Sequence, residues 1–591
     1  MKEKYNLFRK SLKLVWESTP GWTAANTVVS VLRSIFPFLL LLLLKKVIDV
    51  ITSEASASGN ITTILIPVAA LALVWFIDEA LADAAGFFSS KQAMKFEDHM
   101  YDLLHTKASE TDLLNFEDPE YYDCLSRAKR EATWRPNNIL HNLVSLSRSL
   151  LSLLLITGLI LSFHWLPAVI LILANIPGIW LRLHYAGVLY DFKREQTTES
   201  RKAAYYNWLL TGDRPAREMR LFGLGKYFKS LFRESFLRQK EEELDILRKR
   251  VFIGLVSDLI KASAILVIVL FIASETINGT ISLGSMAMFL LAFRQGMIYL
   301  KELLGSVADL YEDGLFIGDT FEFLDLQPVI SGSGNVNPAT LVKKIEVENL
   351  SFSYPGNGKK IIDNISFTLN KGEVLGIVGH NGAGKSTLVR LLARLYEADS
   401  GTIKYDGEDI RKLDPDEYRK QFSIVFQDFM LYNLSAGENI KLGWIDANDT
   451  GRMNSSAMKA GIHDLIKGLP AGYDTRIGNL FDDSRELSWG EWQKIAIARA
   501  LYRVSPVLIL DEPSSSLDAD TEYEIFSRFR EIVKERTTIL ISHRLNYISL
   551  ADRIIVMENG RIAETGSHSD LMKIKGLYHS MFTKQASRFE L

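Results

Sequence analysis

One stretch decides the fold of half the chain: Glu373-Val-Leu-Gly-Ile-Val-Gly-His-Asn-Gly-Ala-Gly-Lys-Ser-Thr-Leu-Val-Arg-Leu-Leu-Ala-Arg-Leu395. It begins with an apolar run, Glu373–Gly379, that is typical of a buried strand, and it ends in an amphipathic helix, Lys385–Leu395. Glycines crowd the connection between the two. The pattern predicts a loop whose backbone N–H groups close around phosphate oxygens at the start of a helix.

The loop has the spacing of a Walker A motif, which is specific when it joins a strand to a helix. We expect Lys385 to neutralise β- and γ-phosphate oxygens and the Ser386 hydroxyl to hold Mg²⁺. The predicted ATP contacts are the residues of the loop and of the first helical turn: Gly379, Asn381, Gly382, Ala383, Gly384, Lys385, Ser386 and Thr387.

A second apolar strand, Val507-Leu-Ile-Leu-Asp511-Glu512, ends in two carboxylates. Asp511 suits the coordination shell of Mg²⁺, as a Walker B aspartate does. Glu512, one residue further on, can reach the attacking water as a general base. Together with the loop, the pair predicts an α/β P-loop NTPase domain that hydrolyses ATP.

The first 310 residues differ sharply from the rest, because they contain apolar runs near 20 residues long. About 20 helical residues cross a hydrocarbon core of about 30 Å. The sequence predicts six membrane spans: Gly21–Val50, Ile64–Phe88, Asn137–Ser162, Trp165–Leu181, Val251–Ser274 and Ile281–Leu303. A soluble ATPase is therefore excluded. The net charge of −3 indicates no nucleic-acid partner, and the single cysteine excludes an internal disulfide.

Lysine and arginine alternate between the connections. Neither occurs in Ile51–Thr63, Phe163–His164 or Glu275–Thr280, whereas Lys91–Arg135 and Arg182–Arg250 are rich in both. The positive-inside rule then predicts that both termini and the two long loops are cytoplasmic.

The two long loops, about 45 and 70 residues, exceed what a connection needs. Their polar, helix-favouring sequence predicts that the membrane helices continue beyond the bilayer, and each loop is broken near its middle, at Asn115–Pro119 and at Thr211–Pro215. A short cross-piece after each break, Glu120–Arg127 and Ala216–Phe222, would press on a cytoplasmic domain. The alternative is two helical hairpins without a partner.

Ionisable residues inside the spans are a further feature. Such groups usually face a bundle interior or a wet cavity. They indicate either structural pairing or an inward-open polar cavity, and Asp258 and Lys261, three residues apart, would pair on one helix. The residues are Arg33, Asp78, Glu79, Asp83, Asp258 and Lys261.

Residues 345–575 resemble an ABC-type ATPase, with the motifs in that family's order. Tyr354 resembles the aromatic that stacks on adenine, Gln427 the Q-loop glutamine that touches Mg²⁺, and His543 the switch histidine that orients the γ-phosphate. Leu487-Ser-Trp-Gly-Glu491 resembles the signature motif and Ser514–Asp518 the D-loop. The resemblance implies that these last two motifs serve a partner chain's ATP, through Ser488, Gly490, Glu491 and Asp518.

The signature departs from the family at Trp489, where glycine is usual. A left-handed backbone there would cost about 1–2 kcal/mol. We expect the tryptophan to be tolerated, because backbone atoms carry the contact; a slowed site is the alternative. Trp492 is expected to be a packing residue.

The membrane half resembles the six-helix arrangement of ABC exporters, so the fold class is an all-α transmembrane domain plus an α/β P-loop NTPase domain. The expected boundaries are 1–328 for the membrane domain, 329–344 for a linker and 345–591 for the nucleotide-binding domain. Lys385, Glu512 and His543 are the expected catalytic residues, and Ser386, Gln427 and Asp511 the Mg²⁺ ligands.

Two stretches, Asn115–Tyr122 and Ile477–Gln493, resemble lantibiotic and microcin transporters. The resemblance implies ATP-driven export of a peptide or other amphipathic molecule by a homodimer in contact with membrane lipids, in a bacterial inner membrane. A lipid or lipid-linked glycan flippase, a multidrug exporter, an ATP-gated channel and a heterodimer are the alternatives. An importer is disfavoured, because importers usually place the two domains on separate chains.

Overall fold

The computed structural model describes residues 2–54, 61–195, 197–330, 334–355, 358–512 and 536–586. The chain divides into two compact units. The first contains residues 1–109 and 120–326, and the second contains residues 110–119 and 327–591.

The first unit is helical. Its helices, in chain order, are α1 (Lys2–Ser18), α2 (Pro20–Arg33), α3 (Phe36–Glu54), α4 (Ile61–Glu110), α5 (Pro119–Glu131), α6 (Arg135–Leu161), α7 (Trp165–Leu173), α8 (Ile176–Glu195), α9 (Thr197–Thr211), α10 (Ala216–Leu221), α11 (Gly225–Ile277) and α12 (Leu283–Leu324). The expected extension of the spans is confirmed, since α4, α11 and α12 have 50, 53 and 42 residues.

Five stretches in the described residues are long and apolar enough to cross a membrane: Pro20–Ser53, Ile64–Glu110, Arg135–Leu161, Gly225–Ile277 and Leu283–Gly314. The predicted fourth span, Trp165–Leu181, is two helices, and only a shorter apolar stretch, Trp165–Gly178, remains. The first predicted span is likewise divided between α2 and α3.

Proline explains both divisions. A proline ring clashes with the carbonyl four residues earlier and removes a helical hydrogen bond. Pro37 lies four residues after Arg33, where α2 ends, and Pro177 lies four residues after Leu173, where α7 ends. The apolar runs predicted the membrane segments, and these prolines interrupt the helices inside them.

The second unit contains two sheets, with strands β1 (Lys344–Ser353), β2 (Lys360–Asn370), β3 (Val374–Gly379), β4 (Ser400–Tyr405), β5 (Glu408–Asp409), β6 (Phe422–Val425), β7 (Val507–Asp511), β8 (Thr537–Ile541), β9 (Arg553–Glu558) and β10 (Arg561–Gly566). The first sheet is antiparallel with the order β2-β1-β4-β5. The second has the order β10-β9-β3-β8-β7-β6, parallel apart from β10.

The helices of this unit are α13 (Lys385–Leu392), α14 (Pro415–Arg419), α15 (Ala436–Lys441), α16 (Thr450–Lys459), α17 (His463–Lys467), α18 (Trp489–Tyr502), α19 (Leu545–Ile548), α20 (His568–Ile574) and α21 (Leu577–Ala586). Strands β3, β8 and β7 are neighbours, and all three are buried along their length. Because parallel strands end at the same edge of a sheet, the residues that follow them meet there.

The first cross-piece differs from its prediction. Leu113–Glu117 forms a 3₁₀ helix within the second unit, where the Asp112 carboxylate accepts hydrogen bonds from the backbone N–H groups of Val329 and Ile330. The predicted cross-piece Glu120–Arg127 instead lies inside α5, in the first unit. Pro119 begins that helix, which suits a residue without a backbone donor. The second cross-piece is observed as α10.

Candidate nucleotide-binding and hydrolysis site

The loop between β3 and α13 has the geometry of a phosphate cradle. Gly382 and Gly384 have φ angles of +79° and +98°, which side chains disfavour. A Cβ on Gly384 would lie 2.8 Å from the carbonyl oxygen of Ile361, so glycine is required there on two grounds. The loop backbone thus reaches the N-terminus of α13, where N–H groups favour an anion.

Lys385 lies folded into this loop. Its Nζ donates to the carbonyl oxygens of Gly379 at 2.9 Å and His380 at 3.2 Å. Burial lowers the pKa of Lys385, while the carboxylates of Glu512 and Asp511 act in the opposite direction. A phosphate would supply a stronger partner for this ammonium than two carbonyl oxygens do.

Glu512 lies between two other predicted site residues. Its Oε1 is 2.8 Å from Nε2 of His543, and its Oε2 accepts a hydrogen bond of 2.9 Å from Nε2 of Gln427. Burial and the Lys385 ammonium lower the pKa of His543, while the Glu512 carboxylate acts in the opposite direction. The sheet order brings these side chains together, since Glu512 follows β7 and His543 follows β8.

The backbone of Glu512 is strained. Its φ is +53°, in the left-handed region that a glutamate adopts at a cost of about 1–2 kcal/mol. Non-glycine residues in this region cluster at functional sites. The conformation aims the carboxylate into the cavity instead of along the strand.

Asp511 is buried at the end of β7 and accepts a hydrogen bond from the Ser386 hydroxyl. Its Oδ1 is buried without a hydrogen-bond partner among the described residues. Burial raises the pKa of Asp511, because a buried carboxylate lacks its hydration. An oxygen ligand without a partner beside a serine hydroxyl fits a divalent cation that prefers oxygen ligands.

A cavity of about 420 Å³ opens over the loop. The predicted residues that line it are Tyr354, Asn381, Gly382, Gly384, Lys385, Ser386, Thr387, Gln427, Glu512 and His543. Gly379, Ala383 and Asp511 are buried and do not line it. Ile361, in β2, also lines the cavity; the sequence analysis missed it because an apolar strand residue carries no chemical signal.

A chain of hydrogen bonds extends from Tyr354, the residue predicted to stack on adenine. The Tyr354 hydroxyl lies 3.1 Å from Oγ1 of Thr387 and accepts from Arg390 at 3.2 Å. Arg390 also donates to the Tyr396 hydroxyl at 3.3 Å, and that hydroxyl donates to Glu117 at 2.9 Å. Arg390 was not predicted, although its position two turns from the loop on α13 would have indicated it.

Arg390→Ala is expected to raise the dissociation constant of ATP. Tyr354 would lose its guanidinium donor, and a hydrogen bond of about 0.5–1.5 kcal/mol corresponds to a change of about 2- to 10-fold. Titration of the full-length protein with a fluorescent ATP analogue measures this. Lys420→Ala is the control, because it removes an exposed cation paired with Glu417 on the same unit. Equal affinity of the two variants would contradict a role for Arg390 in placing Tyr354.

The residues of the signature motif form the N-terminus of α18. Ser488 caps α18, its hydroxyl accepts from the Glu491 N–H at 3.3 Å, and the Glu491 carboxylate accepts from the Ser488 N–H at 2.7 Å. Trp489 has no left-handed backbone, so the anticipated strain does not arise. Its ring packs on Phe429 at 5.0 Å, and Trp492 is buried in the core, as predicted.

Ser488, Gly490 and Glu491 do not line the cavity that contains Lys385. Ser488 is exposed at the N-terminus of α18, where backbone N–H groups remain available. The D-loop prediction, Ser514–Asp518, lies outside the described residues. Fold and site together define a class: a P-loop ATPase unit with an ABC-type signature helix, joined in one chain to a helical unit with membrane-length apolar helices.

Comparison with known proteins gives the family. Residues 362–515 match the ABC transporter family. The subtilin transport ATP-binding protein SpaT of Bacillus subtilis is 31% identical over 584 residues, covering 97% of this chain and 93% of SpaT. An ATP-dependent lipid A-core flippase of Methylococcus capsulatus is 33% identical over 370 residues, covering 62% of this chain and 61% of the flippase.

A bacterial Atm1-family ABC exporter with ATP bound has the same fold, with a TM-score of 0.81 at 24% identity, covering 95% of this chain and 98% of that one. The chain belongs to the ABC transporters. It is a multi-pass membrane protein with the half-transporter architecture of ABC exporters, and its ATPase is coupled to export. The predicted family, fold class and enzyme class are confirmed.

Proposed function

We propose that two copies of this chain form a homodimer that exports a peptide from the cytoplasm across a bacterial inner membrane. The observation that carries the substrate class is the similarity to the subtilin transporter, which extends over 97% of the chain and therefore includes the membrane helices. Subtilin is a lantibiotic peptide. Both termini lie in the cytoplasm, as the distribution of lysine and arginine favours.

Hydrolysis follows from the geometry around Glu512. Its carboxylate accepts a proton from a water that attacks the γ-phosphorus, and ADP leaves in line with the attack. The Lys385 ammonium and an N–H group of the His543 imidazole stabilise the negative charge on the phosphate oxygens. Ser386, Gln427 and Asp511 would hold Mg²⁺, which neutralises phosphate charge when it is bound. The remaining predicted contacts, Tyr354 and Asn381–Thr387, position ATP.

The dimer is supported by the position of the signature helix. Ser488, Gly490 and Glu491 lie away from their own chain's cavity, so a second chain must supply them to each ATP. Asp518 is proposed to act at the same interface. ATP would then close the two nucleotide-binding units. The 3₁₀ helix Leu113–Glu117 in the first long loop and α10 in the second would transmit the closure to the membrane helices, which open outward. Hydrolysis would reset the inward-facing state.

Lipid flipping is the second candidate. The lipid A-core flippase is 33% identical to this chain, but the similarity covers 62% of it. Because the shorter match leaves more of the chain without a counterpart, peptide export is the better-supported function.

The discriminating experiment is ATP hydrolysis by the purified protein in lipid nanodiscs. We expect the peptide fraction of the host to stimulate hydrolysis several-fold, because substrate binding favours the state that closes around ATP. The host's lipid extract is the comparison. Stimulation by the lipid extract alone would replace peptide export with lipid flipping.

A further inference from the structure

A polar cavity of about 640 Å³ lies among the membrane helices of the first unit, with walls from α2, α3, α4, α6 and α12. Among the residues that the structure describes, its lining includes three arginines, Arg33, Arg148 and Arg294, and two carboxylates, Asp78 and Glu302. Arg33 and Asp78 are two of the ionisable residues whose position in the spans indicated either structural pairing or an inward-open polar cavity. The cavity therefore carries one more positive than negative group.

Two of the arginines are paired. Arg33 donates to Asp78 at 3.2 Å, and Arg148 donates to Glu302 at 3.2 Å, where Ser149 also donates at 3.0 Å. Each carboxylate thus already neutralises one guanidinium. Arg294 makes no hydrogen bond or ion pair with any residue that the structure describes.

Arg294 lies deep in its span. It is eleven residues after Leu283, where α12 begins, and at 1.5 Å per residue this is about 16 Å along the helix, close to half of a hydrocarbon core of about 30 Å. A charge at such depth is unfavourable unless it meets a counter-charge or water. An arginine that faces a cavity at mid-membrane is accordingly placed to receive an anion.

A second polar cavity in the same unit shows that the depth of a cation in the membrane decides whether it needs a ligand. Its lining contains Arg250, Lys261 and Lys301 with Asp258, and Lys261 is paired with Asp258 at 2.9 Å. Lys301 is seven residues further along α12 than Arg294, at about 27 Å from the start of the helix, near the opposite surface of the membrane. There, a lysine reaches interfacial water and needs no ligand.

The remaining lining of the first cavity is mostly aliphatic, as at Leu40, Leu44, Leu71 and Ile298. Such walls accept apolar groups, while a guanidinium forms two parallel hydrogen bonds with a carboxylate. We propose that this cavity binds the exported peptide by a carboxylate, received by Arg294, with apolar side chains against the leucine walls. This inference rests on the proposed function, and it specifies the chemistry of the substrate at one site.

The test is equilibrium binding to the full-length protein in nanodiscs. The probes are an N-acetylated octapeptide of alternating leucine and alanine with a free C-terminal carboxylate, the same peptide with a C-terminal amide, and dodecyl phosphate. We expect the acid to bind at least about fivefold more tightly than the amide. In Arg294→Gln the preference should fall below about twofold, whereas Arg294→Lys should keep most of it.

Lys301→Gln is the matched control, since it removes a membrane cation from the same helix outside this cavity, and it should retain the preference. Equal binding of acid and amide to the unsubstituted protein, or binding of neither, overturns the anion site. Tighter binding of dodecyl phosphate without an acid preference assigns the cavity to lipid and overturns the peptide carboxylate. Peptide export is judged separately by stimulated hydrolysis, so it can stand when the anion site fails.

Discussion

Glu512→Gln is expected to lower the turnover number for ATP by about 10²- to 10⁴-fold, the usual contribution of a general base. The amide has the shape of the carboxylate but cannot accept the proton of the attacking water. ATP should still bind with nearly unchanged affinity, because Lys385 and the glycine loop are intact. Hydrolysis by the protein in nanodiscs, together with titration of a fluorescent ATP analogue, measures both quantities.

The control for this variant is Glu558→Gln, which changes an exposed carboxylate in β9 of the same unit. Its turnover should equal that of the unsubstituted protein. A Glu512→Gln protein that hydrolyses ATP within about tenfold of normal would remove Glu512 from the role of general base. Loss of ATP binding in this variant would instead indicate that the side chain supports the loop.

Mixed dimers should show that each hydrolysis site is made by two chains. Lys385→Ala disables the phosphate loop, and Ser488→Arg disables the signature helix. When the two changes are on different chains, one complete site remains, and about half of the normal turnover is expected if the sites act independently. When both are on one chain paired with an unsubstituted chain, each site has one defect, and turnover should fall to about 1%.

The comparison contains its own control, since both dimers carry the same two substitutions and differ only in their distribution. Two purification tags isolate each mixed dimer before hydrolysis is measured. If each chain built its whole site alone, the result would be reversed, because an unsubstituted chain would keep a complete site. That reversal would refute the sandwich of ATP between two chains.

Much of the nucleotide site could be predicted because its chemistry depends on neighbouring residues in the sequence. Glycines at fixed spacing before Lys385 restrict the backbone to one kind of loop, and the acidic pair Asp511-Glu512 follows a strand that must be buried. Glu117 could not be placed in the same way. Its contact with the Tyr396 hydroxyl joins residues 279 positions apart in the chain, and no local pattern encodes it.

The membrane half also has features that the sequence predicts and features that depend on tertiary packing. Apolar runs predicted the spans, because crossing the membrane depends on local transfer from water to hydrocarbon. The distribution of lysine and arginine predicted their orientation. The interruptions at Pro37 and Pro177 are local features as well, because a proline disfavours helix at the residues just before it. The excess positive charge around Arg294 was not readable, since five separated helices contribute the lining and only their packing decides which arginines obtain a carboxylate.

The sequence by itself determined the class of this protein and predicted its membrane segments and the residues that we propose bind phosphate, because strand, loop and helix preferences act over a few neighbouring residues. Only the tertiary structure decided that β3, β8 and β7 are adjacent. That order brings Nε2 of His543 to 2.8 Å from the Glu512 carboxylate and 3.5 Å from the Lys385 ammonium. It also decided that Glu512 takes a left-handed backbone and that Arg294 meets no carboxylate among the described residues. Contacts between distant segments depend on the packing of the whole unit, and that is the physical reason for the division.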